Sequence, residues 1–271
     1  MDALEGRLFF AAGPTIAAPH STVDGATLGE WSARWHQWAL SFPNSQSPVT
    51  DTTGKNADLG QSGPVYFLAG TFLGGEPTVR TQVRIPAGKD IFFPIGNVFW
   101  VQLPEDPPTT IQERRDILND FLTSSNDGIT VSIDGTAVAN PLQYHEVDPF
   151  TNGFNVTLPD ENVFRLFGAT AEQAPAGNYP GSVADGYYLM LTNVPNGNHT
   201  LRWSAPGLGQ DITYQFQVVG RPARSADTRD RASITINDAT QGIHDMNEAL
   251  FGDERIDGPF ASVGEPTEVL V

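Results

Sequence analysis

The sequence predicts a mainly β protein, an antiparallel β-sandwich or jelly roll with two covering α-helices. Three observations carry that expectation. Short runs rich in β-branched and aromatic residues recur along the chain, punctuated by turns such as Asp134-Gly135 and Pro195-Asn196-Gly197. The 27 glycines and 21 prolines are spread out rather than clustered, as in a loop-rich β protein. Capped helical periodicity is confined to two segments, near 27–41 and 110–122.

Residues 1–26 read as an irregular N-terminal arm. The first helix follows over 27–41, opened by the capping box Thr27 to Glu30 and ended by Pro43. Leu28, Trp31, Trp35, Trp38 and Phe42 fall at 3-4-3-4 spacing, one stripe of a helix. Burying five such side chains is worth on the order of 10 kcal/mol at ~25 cal/mol/Å², before entropy costs. The runs PVYFLAGTF (64–72) and DIFFPIGNVFW (90–100) are too apolar for a sheet with a wet face. They need cover on both sides, and the tryptophan helix is the natural lid.

Between those runs, TVRTQVRI alternates. The pattern places Val79, Thr81, Val83 and Ile85 on the buried face and Arg80, Gln82 and Arg84 on the wet one, as a half-buried antiparallel strand. Pro86-Ala-Gly-Lys89 reads as a hairpin turn. The second helix, near 110–122, carries the capping box Thr110 to Glu113. Strand-like runs then continue to residue 220, which closes a core over 27–220. Residues 221–271 begin with a charged stretch lacking periodicity. They read as a linker and extension, a candidate surface for homo-oligomer assembly.

The chain has 32 acidic against 15 basic residues, a net charge of −17. Such a chain repels phosphate backbones and anionic lipid, so no nucleic-acid partner is expected. No apolar run approaches the ~20 residues that span a bilayer, so no membrane insertion is expected. The N-terminus carries Asp2 and Glu5 where a signal peptide would be basic, and no signal peptide is read in it. The absence of cysteine excludes disulfides and thiolate chemistry.

Taken in order, EWSARWHQWALSFP, DTTGKNADLGQSGPVYFLAGTF, RTQVRIPAGKDIFFPIGN, VADGYYLMLTNVPNGNHTLRW and DITYQFQVVG form a set spanning roughly 27–219. The set resembles a family of uncharacterised, mostly secreted bacterial proteins. The resemblance implies an extracellular or periplasmic β-rich protein and supplies no activity. It also implies a cysteine near Ala57 and another near Gln82, which this chain lacks.

Candidate chemistry is sparse. Trp31, Trp35 and Trp38, with Arg34 beside them, form either a core anchor or a stacking platform for a flat ligand such as a sugar. In YHEVD, strand alternation pairs Glu146 with Asp148 on one face and turns His145 to the other. With His36, these are the candidate acid/base residues. No histidine spacing fits a known metal motif and no cofactor signature is present. Calcium is the candidate metal, through Asp51, Asp58, Asp253 and Asp257 in acidic loops, none with EF-hand spacing. The expected function is a non-catalytic extracellular binding or structural protein, with carbohydrate as the candidate ligand. The alternative is a secreted enzyme acting on glycans, with its site near the tryptophan helix.

Overall fold

The computed structural model describes residues 13–74 and 76–220, and the fold they form is mainly β. In chain order the first elements are β1 (Thr15–Ile16), β2 (Thr22–Val23), β3 (Ala26–Thr27), α1 (Leu28–Ala39), β4 (Val65–Phe67), β5 (Thr78–Pro86) and β6 (Asp90–Trp100). Then come α2 (Ile111–Ser124), β7 (Thr130–Ile133), β8 (Thr136–Ala137), β9 (His145–Val147) and β10 (Phe154–Leu158). The last are β11 (Gly177–Thr192), β12 (Gly197–Ala205) and β13 (Gln210–Val219).

Two sheets form a sandwich. In the central sheet, the long strand β11 pairs β6 along one edge and β1, β9 and β10 along the other, and β4 closes the far side in parallel with β6. The outer sheet runs β5-β13-β12-β7-β8. One core lies between the sheets, built on Phe93, Leu189, Trp203 and Tyr214, and α2 closes it with Leu118 and Leu122. A second core lies on the opposite face of the central sheet, where α1 packs against Phe92, Phe99, Tyr188 and Met190. The central sheet is thus covered on both sides, as its apolar runs require.

Both helices start at the expected caps. Thr27 Oγ1 accepts the Glu30 amide at 3.2 Å, and the Glu30 carboxylate accepts the Thr27 amide at 2.7 Å. Thr110 and Glu113 repeat the same exchange at α2. Such reciprocal caps satisfy amides that the first turn leaves bare. Within the arm expected to be irregular, β1 adds to β11, and β2 and β3 form a hairpin through Asp24-Gly25. The linker, extension and assembly surface expected over residues 221–271 lie outside the described residues.

Two expectations are corrected by bulges and topology. Pro86–Lys89 is no hairpin turn, because β5 belongs to the outer sheet and β6 to the central one, so the segment crosses between layers. Strand β5 pairs β13 in parallel rather than antiparallel, and its alternation breaks midway. Thr81 and Gln82 together oppose Gln215, and both donate their amides to the Thr53 carbonyl. The extra residue reverses the faces of what precedes it. Val79 is therefore 48 % exposed, whereas Arg80 points inward and is buried. Its guanidinium donates to the carbonyls of Asp51, Ala69 and Gly70 and to the Tyr214 hydroxyl, which satisfies a buried cation without a salt bridge.

A second bulge, opposite Tyr187 and Tyr188, shapes β6. Before it Ile91, Phe93 and Ile95 face the outer sheet, and after it Val98 does. The shift turns Asn97 toward α1 instead of the sandwich core. Gly186 makes room for it: a Cβ there would sit 2.7 Å from the Asn97 Cβ and 2.8 Å from the Tyr188 ring.

Candidate functional site

The tryptophan stripe is a lid anchor. Trp31, Trp35 and Trp38 are all buried, Trp35 at 1 % exposure. Each indole N–H donates to a different backbone carbonyl: Trp31 to Val23 at 2.8 Å, Trp35 to Leu68 at 2.9 Å, Trp38 to Leu59 at 2.9 Å. The helix thereby ties the β2–β3 hairpin, the segment after β4 and the loop before β4 to one surface. Arg34 is exposed, with its guanidinium 4.4 Å from the Trp31 ring centre. Burial leaves the rings no open face for a flat ligand, and the stacking-platform alternative is corrected accordingly.

His36 is also corrected as an acid/base candidate. It is fully buried between α1 and the central sheet. Asn97 Nδ2 lies 2.8 Å from its Nε2, and its Nδ1 lies 2.8 Å from the Ser32 carbonyl. An amide nitrogen can only donate and a carbonyl can only accept, so the ring is neutral with its proton on Nδ1. Burial is the main cause that lowers its pKa from 6.5 to about 4. The bulge in β6 is what delivers Asn97 to this ring. His36 is a packed, hydrogen-bonded core imidazole without access to solvent.

The YHEVD segment behaves differently. As alternation predicts, Glu146 and Asp148 are both buried and His145 points away from them. The two carboxylates do not pair with each other. Glu146 accepts the His20 amide at 2.7 Å, with the His20 ring 3.1 Å away. Asp148 accepts Arg115 Nη2 of α2 at 2.8 Å and the amides of Phe150 and Ala184. His145 Nε2 meets Asp185 Oδ1 at 2.5 Å. Its side chain is 32 % exposed over a carboxylate that is 2 % exposed. The hydrogen bond to Asp185 is the main cause that raises the His145 pKa above its ordinary value. Sequence reasoning missed Asp185. Its signal was a lone charge inside the apolar run VADGYYLML, where an unpaired carboxylate would be costly.

The calcium candidates form no ion-holding group among the described residues. Both Asp51 carboxylate oxygens are engaged by its own loop, accepting from Thr53 N and Oγ1 and from Asn56 N at 2.7–2.8 Å. Asp58 is exposed, and Asp253 and Asp257 lie outside the described residues. Among the described residues no group of three or more His, Asp or Glu side chains is placed to hold a metal ion. No described helix is long and apolar enough to cross a membrane.

A concavity opens on the free face of the outer sheet. It is an open groove of about 620 Å³ across β5, β13 and β12. Thr81, Gln82 and Arg84 line it from β5, Gln215 and Gln217 from β13, and Asn198 and Thr200 from β12. Register sets the pattern: Arg84, Gln217 and Asn198 form one row, and Gln215 and Thr200 lie in the next. The lining contains no carboxylate, although the chain has 32 acidic residues. Beneath the face, His199 Nδ1 lies 2.8 Å from Asp134 Oδ2 and its Nε2 lies 2.8 Å from the Pro195 carbonyl. His199 thereby ties the β7–β8 turn and the β11–β12 turn to the N-terminal end of β12. What the groove offers chemically is neutral: amide and hydroxyl groups that both donate and accept, with one guanidinium. Comparisons with protein-family models, with curated proteins and with solved structures find no match for this chain.

Proposed function

We propose that this is a non-catalytic binding protein that takes a carbohydrate on the free face of the outer sheet. One observation carries the reading: in a strongly acidic chain, the groove on this face is lined by four amides, two hydroxyls and one guanidinium and by no carboxylate. Sugar hydroxyls donate and accept at once, and side-chain amides complement them without the desolvation cost of a charge. The family resemblance adds an extracellular or periplasmic setting, where such ligands are met. The test is a glycan array followed by calorimetry on the hits, with wild type and a Gln82→Ala/Gln215→Ala variant. Wild type is expected to bind, and the variant to bind about tenfold or more weakly, as loss of two hydrogen bonds predicts. Absence of any glycan hit, or equal binding by the variant, overturns the reading.

A second reading, an enzyme acting on glycans, is favoured by His145 and Asp185. A half-exposed imidazole held by a buried carboxylate is an arrangement that general bases use. Hydrolysis of any array hit, abolished by His145→Ala, would support it. Turnover unchanged by that substitution would remove it.

A further inference from the structure

We infer that the ligand of the outer-sheet groove carries a carboxylate, as a uronic acid does, and that Arg84 receives it. This rests on the proposal that the face binds carbohydrate. Among the described residues the other arginines all have partners. Arg80 holds three carbonyls and Tyr214, Arg114 holds Gly181 and Thr109, and Arg115 holds Asp148. Arg202 reaches Asp211, Arg165 reaches the Asp160 carbonyl and Arg34 lies over Trp31. Arg84 makes no hydrogen bond or ion pair among those residues, in a chain where acids outnumber bases two to one. Among the described residues no carboxylate lies within ion-pair reach of this guanidinium.

Its surroundings narrow the ligand. Gln217 and Asn198 continue the row that Arg84 begins. With strands about 4.8 Å apart, that row extends about 10 Å from one cation across two amides. A planar fork that grips a carboxylate through two parallel bonds is followed by groups suited to hydroxyls. A densely charged polyanion is a poor fit, because one cation faces a protein of net charge −17. A ligand with one carboxylate among several hydroxyls matches the row.

The experiment uses the full chain and three oligosaccharides, each carrying a single galacturonate, glucuronate or mannuronate among neutral sugars. Each is paired with its carboxyl-reduced neutral counterpart, and poly-glutamate serves as an acidic peptide. Wild type is expected to bind at least one acidic member about tenfold or more tightly than its neutral partner. Arg84→Gln and Arg84→Ala should erase that difference, and Gln215→Ala should weaken both members together. Circular dichroism and thermal melting confirm that the variants, all at exposed positions, are folded. Equal binding of acidic and neutral members overturns the carboxylate inference and leaves the carbohydrate reading standing. Binding of no member of either series overturns both. Arg84-dependent binding of poly-glutamate at equal strength assigns the groove to acidic peptides and overturns the glycan.

Discussion

The two sheets meet their surroundings in opposite ways. The central sheet is aromatic on both faces and covered on both, by the outer sheet with α2 on one side and by α1 on the other. The outer sheet is apolar inward, and the groove on its free face carries amides, hydroxyls and one arginine, with the Arg202–Asp211 pair farther along the same strands. Aromatic density drew attention to α1, yet there it marks burial. The polar face is quiet in sequence, and it is where a ligand has access. Rings concentrated at helical spacing report first on what must be kept from water.

The largest effect expected from this contrast is at Trp35. Trp35→Ala should cost about 3–5 kcal/mol, from lost burial and from the cavity left under α1. Denaturant unfolding measures it. A loss below about 1 kcal/mol would mean that the α1 face tolerates an opening and is not the sealed side of the molecule.

Next is His36, through pH. Burial lowers its pKa from 6.5 to about 4, so the unfolded chain takes up this proton first as pH falls. The stability contribution is complete above 6.5 and is lost as pH drops toward about 4, amounting to about 3 kcal/mol. His36→Gln should flatten that acid limb in denaturation curves taken across the interval. An unchanged slope would show that solvent reaches the ring and that the layer is open.

His145 has the opposite sign. Asp185 raises its pKa, so its contribution is complete below the ordinary histidine value and fades as pH rises through the raised one. Partial exposure screens the pair and keeps that contribution small. Asp185→Asn should remove this dependence and return the His145 titration, followed by NMR, toward its ordinary value. Persistence of the raised titration would assign the shift to other groups nearby, Glu146 foremost.

These histidines also show what the chain discloses locally. The capping boxes at Thr27 and Thr110, the stripe at 28–42 and the doubly covered runs are written in adjacent residues, and each appears where the pattern places it. The neutral state of His36 is not, because it depends on a bulge in β6 that rotates Asn97 into reach. Arg80 and Val79 exchange faces for the same reason: their bulge is set by Gln215 and by the Thr53 carbonyl, both distant in sequence. The groove is the least legible feature. Thr81, Gln82, Arg84, Asn198, Thr200, Gln215 and Gln217 share a face only after β5 docks in parallel on β13, and no local periodicity encodes that pairing.

The smallest expected effect bears on the free face itself. Gln215 is exposed, and its side chain has no hydrogen bond among the described residues. Gln215→Ala should therefore change stability by no more than about 0.5 kcal/mol. The same substitution should weaken carbohydrate binding, so stability and binding part company here, whereas at Trp35 the loss falls on stability. A melting curve and a titration on the same preparation test both halves. If Gln215→Ala destabilises the fold by more than about 1 kcal/mol, the amides of this face hold the sheet together. The asymmetry between the covered and the open sheet would then be one of packing alone.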